Sequence, residues 1–110
     1  LPTQWPRFDF FKYPQLTFEQ ADTAAFTNLA LALDALEKGG NAPCVLNAAN
    51  EVAVELFLQD AIGFLEMSDV VAHGLAKVPF IPKPELNDLE ASDAEARRVA
   101  REAIPSAWRS

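Results

Sequence analysis

The longest uninterrupted helical pattern in the chain lies in its middle, at residues 42–59, with the sequence APCVLNAANEVAVELFLQ. Its apolar residues fall on both sides of a helical wheel and leave almost no polar face. Pro43 stands in the first turn, where its missing N–H has no helical partner to lose. Because a helix that is apolar nearly all round is a buried one, the pattern predicts the central helix of a small bundle.

Three polar residues interrupt this pattern, Asn47, Asn50 and Glu51, and they share one stripe with Val54 and Leu58. Buried amides must be hydrogen-bonded, since leaving one unpaired costs roughly 1–3 kcal/mol. Three explanations stay open for the stripe. It makes internal hydrogen bonds that fix register, it faces a neighbouring domain or an active-site wall, or it takes part directly in catalysis.

A first helix is predicted from about residue 28 to residue 38, after a polar crossing at residues 19–27. Gly39-Gly40 supplies the left-handed residue that ends helices. The short connector that follows makes this helix an antiparallel neighbour of the central one. The residues expected on its inward face are Phe26, Leu29, Ala30, Leu33 and Leu36.

Two further helices complete the prediction. Ser68 caps a third helix at about residues 69–77, and a capping box from Ser92 to Glu95 starts a last helix that ends near residue 102. Between them, the prolines of residues 79–91 exclude helix and most sheet, so this segment is predicted to cross the bundle as an extended strap. The fold class is therefore mainly α, a small four-helix bundle-like domain.

The N-terminal residues 1–22 are predicted to form an extended connecting arm, and residues 23–110 the helical domain. Residues 1–17 hold three prolines and five aromatic residues, and prolines push their predecessors into extended geometry. A segment this apolar is expected to pack against other residues, either the core of this bundle or an absent domain. The chain also begins at Leu1 rather than Met, which predicts a piece of a longer protein.

Charge and composition limit the classes of partner expected for this chain. The formal net charge of −7 argues against nucleic acid and anionic membranes, which attract clustered Lys and Arg. No apolar run is long enough to span a membrane, and no signal-peptide pattern stands at the N-terminus. Cys44 is the one cysteine, so no internal disulfide can form, which favours the cytoplasm.

The sequence holds few residues that could form a catalytic or ligand-binding site. His73 is the only histidine, so a nucleophilic site with a histidine base would require Cys44 to meet His73. The alternatives are that Cys44 is a small buried hydrophobic residue and that His73 is a surface histidine or a hydrogen-bonded interface histidine. The Gly39-Gly40 pair precedes no lysine and hydroxyl of a phosphate-binding loop. The sequence therefore predicts no catalytic, cofactor-binding or metal-binding residue in this chain.

The run from Asn28 to Val71, with its glycine pair, the segment Leu46-Asn47-Ala48-Ala49-Asn50-Glu51 and the turn Ile62-Gly63-Phe64, closely resembles the C-terminal region of 1-deoxy-D-xylulose 5-phosphate reductoisomerase. The start of the last helix at residues 92–97 is also similar to that family. The arm, with Phe8-Asp9-Phe10 and residues 16–19, is similar to the family's segment joining the catalytic and helical domains.

The resemblance implies a homodimeric oxidoreductase of the non-mevalonate route to isoprenoid precursors, which uses NADPH and a divalent metal, Mg or Mn. Its nucleotide-binding and catalytic domains would be this segment's partners within one parent chain. The segment would bind neither cofactor and be inactive alone, with Asn47, Asn50 and Glu51 as a structural or inter-domain stripe. The alternative is a free-standing helical interaction module that binds a partner through the arm.

Overall fold

A computed structural model describes residues 18–103, and within this range the chain is a small bundle of four α-helices with no strand. The elements are α1 (Phe18–Lys38), α2 (Ala42–Leu58), a 3-10 turn (Phe64–Glu66), α3 (Met67–Lys77) and α4 (Leu86–Glu102). The mainly α bundle predicted from the sequence is confirmed. Residues 1–17 of the predicted arm lie outside the described residues, and the domain division at residue 22 stays a prediction.

Helix α2 is the centre of the bundle, packed against α1, α3 and α4. Its buried side chains are mostly small, and they are Ala42, Val45, Ala48, Ala49, Val52, Ala53 and Leu56. Small side chains let neighbouring backbones approach closely. Gly74 of α3 illustrates this, since a Cβ placed there would lie 2.9 Å from the Ala49 Cβ. The prediction of a central helix is confirmed, although Leu58 on its outer face remains 59% exposed.

Helix α1 begins at Phe18, about ten residues before the predicted start. The prediction of a polar crossing at residues 19–27 is therefore wrong, and so is the prediction that residues 18–22 are extended. No proline or glycine interrupts residues 18–38. Two threonines of the predicted crossing lie inside the helix. The hydroxyl of Thr23 donates to the Glu19 carbonyl at 2.9 Å, and that of Thr27 donates to the Thr23 carbonyl at 3.0 Å. Such back-bonding is compatible with a continuous helix.

The predicted inward face of α1 is also wrong. Phe26, Leu29, Leu33 and Leu36 are 72%, 52%, 56% and 62% exposed, and Ala30 is exposed as well. The side that packs on the bundle carries the buried Ala24 and Ala35 together with half-buried Leu31. Both sides of α1 are apolar, so periodicity alone could not choose between them. The alanine side allows the closer approach.

Helix α4 begins at Leu86, not after Ser92, and the strap is shorter than predicted, running from Val78 to Glu85. The N–H of Glu85 donates to the Asp88 carboxylate at 3.0 Å, an N-terminal cap that follows directly on Pro84. Ser92 therefore lies inside the helix and is buried. Likewise, α3 starts at Met67, so Ser68 lies in its first turn rather than at its cap.

The side chain of Asn41 joins the α1–α2 turn to the strap and to α4. Its Nδ2 donates to the carbonyl of Pro79 and to Oγ of Ser92, both at 2.9 Å. Its Oδ1 accepts from the N–H of Ile81 at 2.8 Å, and its own N–H donates to the Ile81 carbonyl at 3.0 Å. Asn41 is only 1% exposed. This fully paired amide, called here the Asn41 latch, was not foreseen from the sequence.

Gly40 lets the strap approach the turn this closely. Its φ is +57°, a backbone region that favours glycine. A Cβ at this position would collide with the carbonyl oxygen of Ile81 and lie 2.9 Å from the ring of Phe80. The ring also accepts a cation–π contact, with Nζ of Lys38 at 5.0 Å from its centroid. The end of α1 and the strap are thus held together from two sides.

We expect Asn41→Ala to lower the free energy of unfolding by about 1–3 kcal/mol or more, because it leaves buried backbone and hydroxyl groups of the strap and α4 without partners. The matched control is Asn47→Ala on the exposed side of α2, where a surface substitution changes stability by about 0.5 kcal/mol or less. Urea unfolding followed by circular dichroism measures both. Equal midpoints for the two variants would contradict the structural role assigned to Asn41.

Candidate functional site

The polar stripe of Asn47, Asn50 and Glu51 lies on the exposed side of α2. The amide of Asn47 donates to the Glu51 carboxylate at 3.2 Å, so these two residues pair with each other one helical turn apart. Within residues 18–103, the internal partners of the stripe are this pair and Arg97 of α4, which bonds to Glu51. Three neighbouring helices cover most of α2, yet its fourth side stays open to solvent.

Helix α4 holds the acidic part of this surface in place. Arg97 pairs with Glu51 at 3.2 Å and with Asp93 at 3.0 Å, and Arg101 pairs with Glu55 at 3.1 Å. The hydrogen bond with Asp93, followed by that with Glu51, raises the pKa of the Arg97 guanidinium. Exposed pairs of this kind stabilise a fold by about 1 kcal/mol or less. Their main effect here is to orient the carboxylates along the α2–α4 edge.

A shallow groove runs along the same side of α2, lined by Asn50, Glu51, Val54, Glu55, Leu58 and Gln59. It combines two amides, two carboxylates and exposed aliphatic carbon along α2 and its C-cap. Mixed polar and aliphatic atoms on an open surface are also typical of contacts between proteins.

Cys44 and His73 do not form a nucleophilic site. The thiol of Cys44 donates to the Leu89 carbonyl of α4 at 3.4 Å. Burial raises the pKa of this thiol, Asp93 raises it further, and Arg97 opposes them. Among the described residues, the ionised groups that shift this pKa are Asp93 and Arg97, and both lie on α4. His73 lies on a different helix, α3. A raised pKa keeps the thiol protonated and poorly nucleophilic.

The described part of the chain holds no further candidate centre. Within residues 18–103, no three side chains of His, Cys, Asp or Glu come together as metal ligands would. In the same range, no helix has the length and apolar content needed to cross a membrane. Asn41 was the residue that sequence reasoning missed. Its signal was an amide directly after Gly39-Gly40, at the N-cap of α2, where its side chain makes no cap hydrogen bond and binds the strap instead.

We expect the alkylation rate of Cys44 in the folded chain to rise only at a higher pH than the alkylation rate of a free thiol. The reason is that the raised pKa of Cys44 means that its reactive thiolate forms at a higher pH. The measurement is the rate of iodoacetamide modification between neutral pH and pH 10. The urea-unfolded chain is the control and should react faster at every pH. Rapid modification of the folded chain at neutral pH would restore the case for a nucleophilic cysteine.

The comparisons with known proteins agree with one another. A family model described as the DXP reductoisomerase C-terminal domain matches residues 1–99. The 1-deoxy-D-xylulose 5-phosphate reductoisomerase of Bacteroides fragilis is 54% identical over 93% of this chain, and that of Porphyromonas gingivalis is 44% identical over 96%. The enzyme of Rhodospirillum centenum is 45% identical over 94%.

These relatives are much longer than the matched region. The chain spans 26% of the Bacteroides fragilis and Rhodospirillum centenum enzymes and 27% of that of Porphyromonas gingivalis. The match nevertheless covers the arm, the Asn41 latch and the polar stripe together. The chain belongs to the family of DXP reductoisomerase C-terminal domains.

Proposed function

We propose that this helical domain supports the catalytic part of a 1-deoxy-D-xylulose 5-phosphate reductoisomerase that uses NADPH and Mg or Mn in isoprenoid precursor synthesis. The observation that carries the proposal is the 54% identity over 93% of the chain to an enzyme of that name. The parent would be a cytoplasmic homodimer, and its catalytic and nucleotide-binding domains would be the partners of this one.

The residues of this chain do not fit either cofactor. Its sequence has no glycine-rich phosphate loop, and residues 18–103 bring together no set of metal ligands. In the proposed enzyme, NADPH would supply the hydride and the metal would polarise substrate oxygens. The groups that bind them would belong to the three-quarters of the relatives that this chain does not span. No reaction step is assigned to the helical domain.

The stripe of Asn47, Asn50 and Glu51 is the proposed inter-domain contact on α2. Its support is geometric, because the three side chains are exposed and Glu51 is oriented by Arg97. The aliphatic carbon of Val54 and Leu58 lies beside them in the same groove. Interfaces between protein surfaces combine apolar contact with a polar rim in this way. A neighbouring domain seated here would be held against α2, close to the α2–α4 ion pairs.

A second candidate, a free-standing interaction module, is favoured by the exposed apolar residues of α1. The two candidates differ in what precedes Leu1 in the gene. A reading frame that continues upstream into a nucleotide-binding glycine loop supports the enzyme. A start codon next to Leu1 supports the module.

We expect the isolated 110-residue chain to show no NADPH oxidation with 1-deoxy-D-xylulose 5-phosphate and Mg²⁺ or Mn²⁺, because the proposed chemistry belongs to other domains. The measurement is the loss of NADPH absorbance, with a full-length relative as the positive control. Turnover by the isolated chain at the rate of the intact enzyme would contradict the supporting role.

We expect Asn50→Leu to leave the stability of the isolated domain within about 0.5 kcal/mol of the original, because this side chain is exposed. In a full-length enzyme carrying this domain, the same substitution should lower kcat/KM, since it would disturb the proposed contact. Asn87→Leu on the exposed surface of α4 is the matched control. Equal activities for the two full-length variants would remove the stripe from the interface.

A further inference from the structure

The outer face of α1 has the residue spacing of a coiled-coil seam. Phe26, Leu29, Leu33 and Leu36 follow one another at steps of three, four and three residues, over roughly 15 Å of helix. All four are more than half exposed, at 72%, 52%, 56% and 62%. Apolar residues at alternating steps of three and four occupy the a and d positions of a heptad, through which two helices pack side by side. These four residues are called the α1 outer face below.

The α1 outer face is directed away from the bundle. In the described part of the chain, α1 packs on α2 and α3, and its inner side carries Ala24, Leu31 and Ala35. The positions that flank the outer face are mostly small and uncharged, and they are Thr23, Ala25, Ala30, Ala32 and Glu37. Small flanking side chains let a second helix approach closely.

We propose that the α1 outer face binds the same face of a second copy of this chain, with the two helices antiparallel. A two-fold axis at the level of residue 31 makes the contact self-complementary. Phe26 of each copy then packs on Leu36 of the other copy. Leu29 packs on Leu33 in the same way, so the pair has four layers and every layer is apolar.

Charge selects the antiparallel orientation. Asp22 is exposed and lies one turn before Phe26 on the same side of α1. In a parallel pair, the two copies of Asp22 would face each other in the seam, and like charges placed opposite each other are unfavourable. The antiparallel pair instead places Asp22 opposite Gly40 of the second copy and separates the two carboxylates by about 27 Å along the helix axis. The net charge of −7 on each copy opposes association at low salt, and physiological salt screens charges more than about 8 Å apart.

The area of the α1 outer face fits a weak dimer. With roughly 200 Å² for each fully exposed side chain of this size, the four exposed fractions amount to about 500 Å² per copy. Two copies would therefore bury about 1,000 Å² in total, which is the lower limit for a specific interface. A contact of this size is expected to form reversibly, with Kd in roughly the micromolar to millimolar range.

The test is sedimentation equilibrium of the full 110-residue chain over concentrations from about 1 μM to 1 mM. We expect a monomer–dimer equilibrium that tightens as salt is raised, because salt screens the repulsion between the two copies. Leu33→Glu should raise Kd by about tenfold or more, since it places a carboxylate in each of the two central layers. The matched control is Leu58→Glu, which adds the same charge at a leucine of similar exposure on α2, 59% against 56%, and should leave Kd unchanged. Far-ultraviolet circular dichroism checks that both variants remain helical.

Cross-linking tests the orientation and keeps the proposal testable if Leu33→Glu fails to fold. In a chain that carries Cys44→Ala, Ala30→Cys places a thiol close to its counterpart beside the two-fold axis, so a short bismaleimide should join the two copies. Glu37→Cys should not be joined, because the antiparallel pair separates its two copies by about 18 Å along the helix axis.

A monomer at every concentration would overturn the proposal and leave the α1 outer face to a different partner. Equal changes in Kd for the two glutamate variants would overturn it as well, since the interface would then lie elsewhere. Cross-linking at residue 37 without cross-linking at residue 30 would contradict the antiparallel pair. None of these outcomes depends on whether the parent protein is a reductoisomerase.

Discussion

The side chain of Asn41 satisfies polar groups of both the strap and α4, and the placement of these two parts of the chain depends on it. The strap contains Pro79, Pro82 and Pro84, which have no N–H to donate. It therefore cannot pair with itself as a hairpin does, and the carbonyl of Pro79 and the two backbone groups of Ile81 need partners from elsewhere. Asn41 supplies them and reaches Ser92 in α4 with the same amide. The latch thus fixes the path of the strap and the placement of the helix that follows it.

The two sides of α2 have different tasks because they differ in side-chain size and polarity. The inner side is rich in alanine and valine, which allows α3 and α4 to approach closely, as the contact of Gly74 with Ala49 shows. The outer side carries amides, carboxylates and Leu58, which the bundle leaves in solvent. Ion pairs from Arg97 and Arg101 order this outer side without burying it. The result is a partly apolar surface whose carboxylates are held by ion pairs.

The two sides of helix α1 also differ in the size of their side chains. Its alanine side enters the bundle, and its larger apolar residues face outwards. A domain that matches 26% of a longer relative is expected to carry surfaces that are complete only in its larger context. The outer surfaces of α1 and α2 are separate, one apolar and one mixed.

The sequence alone determined the helical class, the central position of α2, the ends of α1, α3 and α4 at Lys38, Lys77 and Glu102, and the family. These follow from local signals, namely periodicity, glycine and proline stops, and a specific motif. Tertiary structure decided which side of α1 is buried, where α4 begins, and which asparagine is buried. Asn41, Asn47 and Asn50 are alike in type, and only packing separates the paired, buried amide from the exposed ones. Burial is a property of what lies opposite a residue, and that neighbour is distant in sequence, as Ile81 and Ser92 are from Asn41.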